Sequence, residues 1–197
     1  MEVYTKEWII CDKVNVEGGY VDHPNDPGKA TNHGITEAVA RAHGFKGDMR
    51  DLTKEEAVAI YKVSYWDKMM LDDIYDRSIL IADKMFDMGI NLGVHKTSEL
   101  FQRYLTINNQ LGDIYPDLIV DGYIGPKTIE GFDSFIAYRG KRGKINCLTA
   151  LLCGQGDHYC RLAMAREKSE AFIHGWMNRV GKDIMEYATL IDSGRYT

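Results

Sequence analysis

Two carboxylates and a hydroxyl stand close together near the N-terminus: Glu17, then Asp26, then Thr31, all within EGGYVDHPNDPGKATNHGIT, residues 17 to 36. Facing carboxyl groups, one protonated and one ionised, are what hydrolysis of a glycosidic bond requires. The acid donates its proton to the leaving oxygen, and its partner handles water or the developing cation. A hydroxyl such as that of Thr31 could hold the attacking water. The segment offers almost no apolar surface to a core, but it is rich in turn formers, namely Asp22, Pro24, Asn25, Pro27 and Gly28. Folded back as a small hairpin, it would bring Asp26 and Thr31 opposite the helix end that bears Glu17.

Two other readings of the stretch stay open at this level. An Asp/Asn-rich loop could hold calcium, but Asp22, Asn25 and Asp26 do not follow the every-second-residue ligand spacing of the common calcium loop, and no glutamate closes it. The loop could also be a purely structural turn.

The elements that would position these groups read as mostly helical. Residues 3 to 15 carry Val3, Tyr4, Trp8, Cys11 and Val14 near one face, and Gly18-Gly19 supplies a stop, so Glu17 falls at a helix end. Thr36 is placed to cap a short helix through Ala42, which Gly44 ends. Thr53 and Glu56 fit a capping box that opens a helix through about Tyr65. In RSILIADKMFDMGINLG, residues 77 to 93, apolar side chains nearly encircle the axis, which marks a central buried helix, its methionines filling the core.

The second half is expected to hold a helix near 97 to 106, then a turn at VDGYIGPKT, residues 120 to 128, where Gly122 and Gly125 suit a tight bend and Pro126 the first position of a helix. Two long helical patterns follow, roughly 144 to 167 and 169 to 191. No Gly-, Ser- or Pro-rich linker separates the halves, so two domains, if present, would pack closely.

Composition narrows the function classes. A chain of 197 residues with 45% hydrophobic and 27% charged residues is ordinary for a globular protein with a real core. The net charge of −5 gives no electrostatic reason to expect nucleic acid. The acidic excess is confined to the half that holds Glu17; the ordinary reading is a solvated surface, the sharper one that crowded carboxylates help keep one acid protonated. Cys11, Cys147, Cys153 and Cys160 form no C-x-x-C pair or zinc-like spacing, so they are expected as buried, reduced core thiols, with no metal and no cofactor. The N-terminal MEVYTKEWIICDKV has acidic residues where a signal peptide needs basic ones, and no apolar window is long enough to span a bilayer. Synthesis in the cytoplasm without a signal peptide, no membrane insertion and a monomer are expected.

The same run resembles the signature of glycoside hydrolase family 108, a group of N-acetylmuramidases found among phage endolysins and related bacterial proteins. Glu17, Gly18, Gly19, Tyr20, Asp26, Pro27, Gly28, Thr31, Asn32, Gly34, Ile35 and Thr36 match it. Lys29 stands where the family often has a second glycine, and His33 where tyrosine is frequent. FDMGINLG, residues 86 to 93, is similar to the family's buried helix ending in Asn-x-Gly. VDGYIGPKT, with Phe172, Gly175, Trp176 and Arg179 in AFIHGWMNRV, resembles the predicted peptidoglycan-binding module that follows family 108.

The resemblance implies a mainly α, lysozyme-like helical fold with a small β-hairpin after the first helix, followed by a closely packed helical C-terminal subdomain. Residues 1–93 would be the catalytic domain and 94–197 a peptidoglycan-binding-like domain. Glu17 would be the general acid cleaving between N-acetylmuramic acid and N-acetylglucosamine. It would need a partly apolar pocket or a nearby negative charge to stay protonated above its usual pKa of about 4.3. Asp26 would be the base or electrostatic partner and Thr31 the water-positioning group, by analogy with phage-type lysozymes, in which the Asp-to-Thr interval is one residue longer. Tyr20, Asn32, His33 and Asn91 would contact the sugar, with Asn91 facing the cleft. Peptidoglycan glycan strands are the implied partner, and release to the wall by another protein the implied route. Two alternatives stand beside hydrolysis: a lytic transglycosylase using the same glutamate, and a non-catalytic wall-binding protein.

Overall fold

A computed structural model describes residues 4–16, 19–21 and 30–194. The chain forms two compact units, Met1–Asp67 and Lys68–Thr197. Both are dominated by helix, with eight α-helices among the described residues.

In the first unit, α1 (Lys6–Val16) begins where the Thr5 hydroxyl accepts a hydrogen bond from the Trp8 amide at 3.1 Å. Its buried face differs from the expected one. Ile9, Ile10 and Val14 are the buried residues, with Tyr4 just ahead of them, whereas Trp8 and Cys11 stay half-exposed and the Trp8 ring packs on Tyr4 at 4.5 Å. The two adjacent isoleucines remove the larger continuous apolar surface from water, and they set the rotation of the helix.

β1 (Thr31–Asn32) and β2 (Ile35–Thr36) pair antiparallel, Thr31 opposite Thr36 and Asn32 opposite Ile35. The two residues between them, His33 (φ +50°) and Gly34 (φ +72°), are both left-handed, as a two-residue hairpin turn requires. Thr36 then caps α2 (Glu37–Ala42), accepting from the Val39 amide, and Gly44 at φ +88° follows the helix end. The capping box at Thr53 and Glu56 is formed in both directions and opens α3 (Lys54–Tyr61), against which α1 packs; a π-helical turn over Lys62–Trp66 continues it.

The second unit contains α4 (Leu71–Arg77), α5 (Ile79–Leu92), α6 (Val94–Thr106), α7 (Pro126–Ala165) and α8 (Glu170–Asp192). α5 is buried from Leu80 to Gly89 and packs against α4, α6 and α7, while α8 lies along α7. Phe101 and Phe132 meet edge to face at 5.1 Å, and Phe135 stacks beyond them.

The VDGYIGP turn is clasped by one side chain: buried Gln102 donates to Asp121 Oδ1 and the Tyr123 carbonyl and accepts from the Gly122 amide. Gly122 (φ +73°) has no substitute there, since a Cβ would stand 2.6 Å from the His95 ring. Pro126 opens α7 as expected, but the helical path runs from there to Ala165 with one break at Gly140 (φ +57°, ψ −151°), so the pattern read from residue 144 catches only its second part.

The cysteines also divide differently from expectation. Cys147 is buried and its thiol is pushed up by desolvation, Cys11 is half-buried, and Cys153 and Cys160 are exposed on α7. Among the described residues, no helix is long and apolar enough to cross a membrane.

Candidate active site

Glu17 and Asp26 lie outside the described residues, and what frames them on either side is described. α1 runs to Val16. Val21 and Thr31 exchange both backbone hydrogen bonds, each at 2.8 Å, as an antiparallel bridge. Together with β1 and β2 this makes a small antiparallel ribbon that carries Thr31 and His33 at defined positions.

The predicted site residues on this ribbon divide by what they bond to. The Thr31 hydroxyl and the His33 ring have no hydrogen-bond partner among the described residues, and both side chains are half-exposed. Asn32 is only 5% exposed, and its amide donates to the Met49 carbonyl at 2.8 Å and the Leu52 carbonyl at 3.4 Å. It therefore anchors the hairpin to the turn before α3. Tyr20 is half-exposed, and the Arg50 guanidinium lies 4.8 Å from its ring centre, a cation–π contact. Arg50 is itself held by Asp48.

Asn91 stands exposed near the end of α5, in the second unit. Its side-chain N–H groups donate back to the Asp87 carbonyl at 2.7 Å and to the Asp87 carboxylate at 3.3 Å. Because both contacts are acceptors, the amide oxygen is the atom turned away from them.

A polar cluster in the second unit was not read from the sequence. Lys84, fully buried on α5, donates to Asp87 at 2.9 Å and to Asp183 of α8. Asp87 also meets Arg179 at 3.4 Å and Gln155 at 3.5 Å, and buried Asp83 accepts from the Tyr187 hydroxyl at 2.8 Å. Burial and the neighbouring carboxylates push the Tyr187 phenol well above its ordinary range. A signal was available: Asp83, Lys84 and Asp87 interrupt an otherwise apolar helix at intervals that share a face, and charges buried this deeply are nearly always paired. Among the described residues no cluster of three or more metal-ligating side chains occurs.

α1, the Val21–Thr31 pair and the β1–β2 hairpin are the described elements that flank the candidate residues in sequence. Residues 12–93 match the glycosyl hydrolase 108 family model, and residues 96–181 match the model of a predicted peptidoglycan domain. A glycosyl hydrolase 108 domain followed by a predicted peptidoglycan domain makes the chain a glycoside hydrolase that acts on peptidoglycan. The solved structure of SagA from Brucella abortus is similar over 90% of either chain, with 28% identity and a TM-score of 0.61. No curated protein matches the chain.

Proposed function

We propose that the chain is an N-acetylmuramidase of the endolysin type, cleaving the β-1,4 bond between N-acetylmuramic acid and N-acetylglucosamine. Glu17 protonates the bridging oxygen, Asp26 acts as base or electrostatic partner, and Thr31 positions water. Tyr20, His33 and Asn91 touch the glycan, and Asn32 serves by anchoring the hairpin that carries His33. Residues 1–93 supply catalysis and residues 94–197 hold the wall. The protein works as a monomer, made in the cytoplasm and released to the wall by another protein.

One observation carries the reading. The Val21–Thr31 pair seats Thr31 on the ribbon, five residues after Asp26 in sequence, and its hydroxyl has no hydrogen-bond partner among the described residues. A hydroxyl with no partner among the described residues is available to a water or a sugar.

The experiment is digestion of purified peptidoglycan by the wild type and by Glu17→Gln, with soluble muropeptides weighed and assayed for reducing ends. The expected result is that new reducing ends appear with the wild type and that Glu17→Gln lowers their rate by about 10³-fold, within the range for loss of a general acid, with an unchanged circular dichroism spectrum. Anhydro-muropeptides in place of reducing ends would replace hydrolysis with transglycosylation. A Glu17→Gln protein as active as the wild type would end the proposal.

A further inference from the structure

Phe172, Gly175, Trp176 and Arg179 fall at i, i+3, i+4 and i+7 on α8 and so share one face of that helix. Each is unusual for a side chain with only a packing role. Phe172 is 59% exposed. Its ring stacks on Trp176 at 5.9 Å, and Trp176 stacks on Tyr159 of α7 at 5.1 Å. Tyr159 is buried, its hydroxyl accepting from Gln155. Phe172 is therefore the outermost ring of a three-ring stack rooted in the core, held in place with its outward face open.

Gly175 is the second observation. Glycine inside a helix is destabilising relative to alanine, so it calls for a reason. No atom lies within 4 Å of where its Cβ would stand, so nothing packed inside the protein demands the vacancy. What a missing side chain does supply is a gap beside the rings where a ligand can approach the helix backbone. The third is Arg179. One guanidinium nitrogen contacts Asp87, the side chain is 37% exposed, and its other N–H groups have no hydrogen-bond partner among the described residues.

We propose that these four residues form a glycan-binding shelf. The apolar face of a pyranose ring lies on the outward face of Phe172 and over the gap at Gly175, and Arg179 donates to a carboxylate or amide carbonyl of the same strand. The inference rests on the reading that the chain acts on peptidoglycan, whose strands carry sugar rings and both kinds of acceptor. Seven residues of helix separate Phe172 from Arg179, about 10 Å along the axis, room for more than one sugar. A second copy of this chain is the competing occupant. An apolar helix laid here would cover the Arg179 donors without pairing them, which is costly, and the exposed Ile184 and Met185 that such an interface would recruit lie on other faces of α8.

The test uses the full chain carrying Glu17→Gln, so that the wall is bound without being cut, and measures co-sedimentation with purified peptidoglycan. Gly175→Leu is the decisive variant, because open space around the position lets the protein fold and the loss of a helical glycine keeps its melting temperature at or above that of the parent. Its wall affinity is expected to fall about tenfold, as is that of Phe172→Ala, while Ile184→Ala binds like the parent. Unchanged binding by a folded Gly175→Leu overturns the shelf. So does a parent that self-associates in sedimentation through Phe172 and still binds the wall after Phe172→Ala. Reducing-end release by the wild type is scored separately, so failure of the muramidase reading and failure of the shelf give different results.

Discussion

The hairpin at residues 31 to 36 and the charged cluster around Asp87 are both polar places in a helical protein, and they treat polar groups in opposite ways. At the hairpin, the Thr31 hydroxyl and the His33 ring have no hydrogen-bond partner among the described residues. Around Asp87, one carboxylate is shared by Lys84, Asn91, Gln155 and Arg179. Removing ions from water is costly unless each finds partners, so the buried Lys84 and Asp87 are paired within the cluster, which joins α5 to α7 and α8, although the Gln155 amide oxygen stays buried without a partner among the described residues. Polar groups left open can serve a ligand, as Asn91 and Arg179 at the exposed rim of the cluster also can; buried charges closed upon one another serve the fold.

The largest test of this contrast is Lys84→Met. It keeps the length and apolar character of the side chain but leaves Asp87 and Asp183 without their shared cation, and should destabilise the protein by about 3–5 kcal/mol in denaturant titration. A cost near zero would mean that the cluster contributes little beyond its shape. The complementary change is Thr31→Val. With no hydrogen bond to lose among the described residues, its stability should stay within about 0.5 kcal/mol of wild type. Muropeptide release should drop by about tenfold or more if the hydroxyl holds the attacking water.

The smallest expected effect concerns pH. Tyr187 has its pKa raised in the folded state, by burial first and the Asp83 charge next, so the unfolded chain ionises this phenol first. Its contribution to stability is complete below the ordinary tyrosine value of about 10 and is lost as pH rises beyond it. Tyr187→Phe should therefore flatten the decline of stability above about pH 10, although it lowers stability at neutral pH by removing the hydrogen bond to Asp83. Equal alkaline slopes in the two proteins would place that sensitivity elsewhere, with Tyr115, pushed up to about 12, the next group to examine.

Much of this molecule was legible in its sequence because the signals are local. The capping box at Thr53, the cap at Thr36, Pro126 at the start of α7 and the encircled apolar pattern of α5 each depend on neighbours within about one helical turn, where hydrogen-bond geometry is settled by residue type. The candidate acid, its partner and Thr31 were legible for a similar reason: a polar, turn-rich run with no apolar content stands out against helices. What escaped was non-local. The rotation of α1 depended on which of two possible faces met α3, and the length of α7 on a single glycine that bends the helix without ending it.

The sequence by itself determined the helical class and the hairpin after the first helix, since these follow from periodicity, caps and turn chemistry, and it singled out Glu17, Asp26 and Thr31 as candidates for cleaving a sugar. Only the tertiary structure decided that Asn32 faces inward to carbonyls, that buried Gln102 clasps the turn at Asp121 and Tyr123, and that Asp83, Lys84 and Asp87 find partners on α7 and α8. It also decided that α5, which falls within the match to family 108, is packed among the helices of the second unit. The physical reason is common to all four. A buried charge or amide is tolerable only beside a partner, and a helix that is apolar all round must be covered on every side, but which distant segment supplies the partner or the cover is settled by packing.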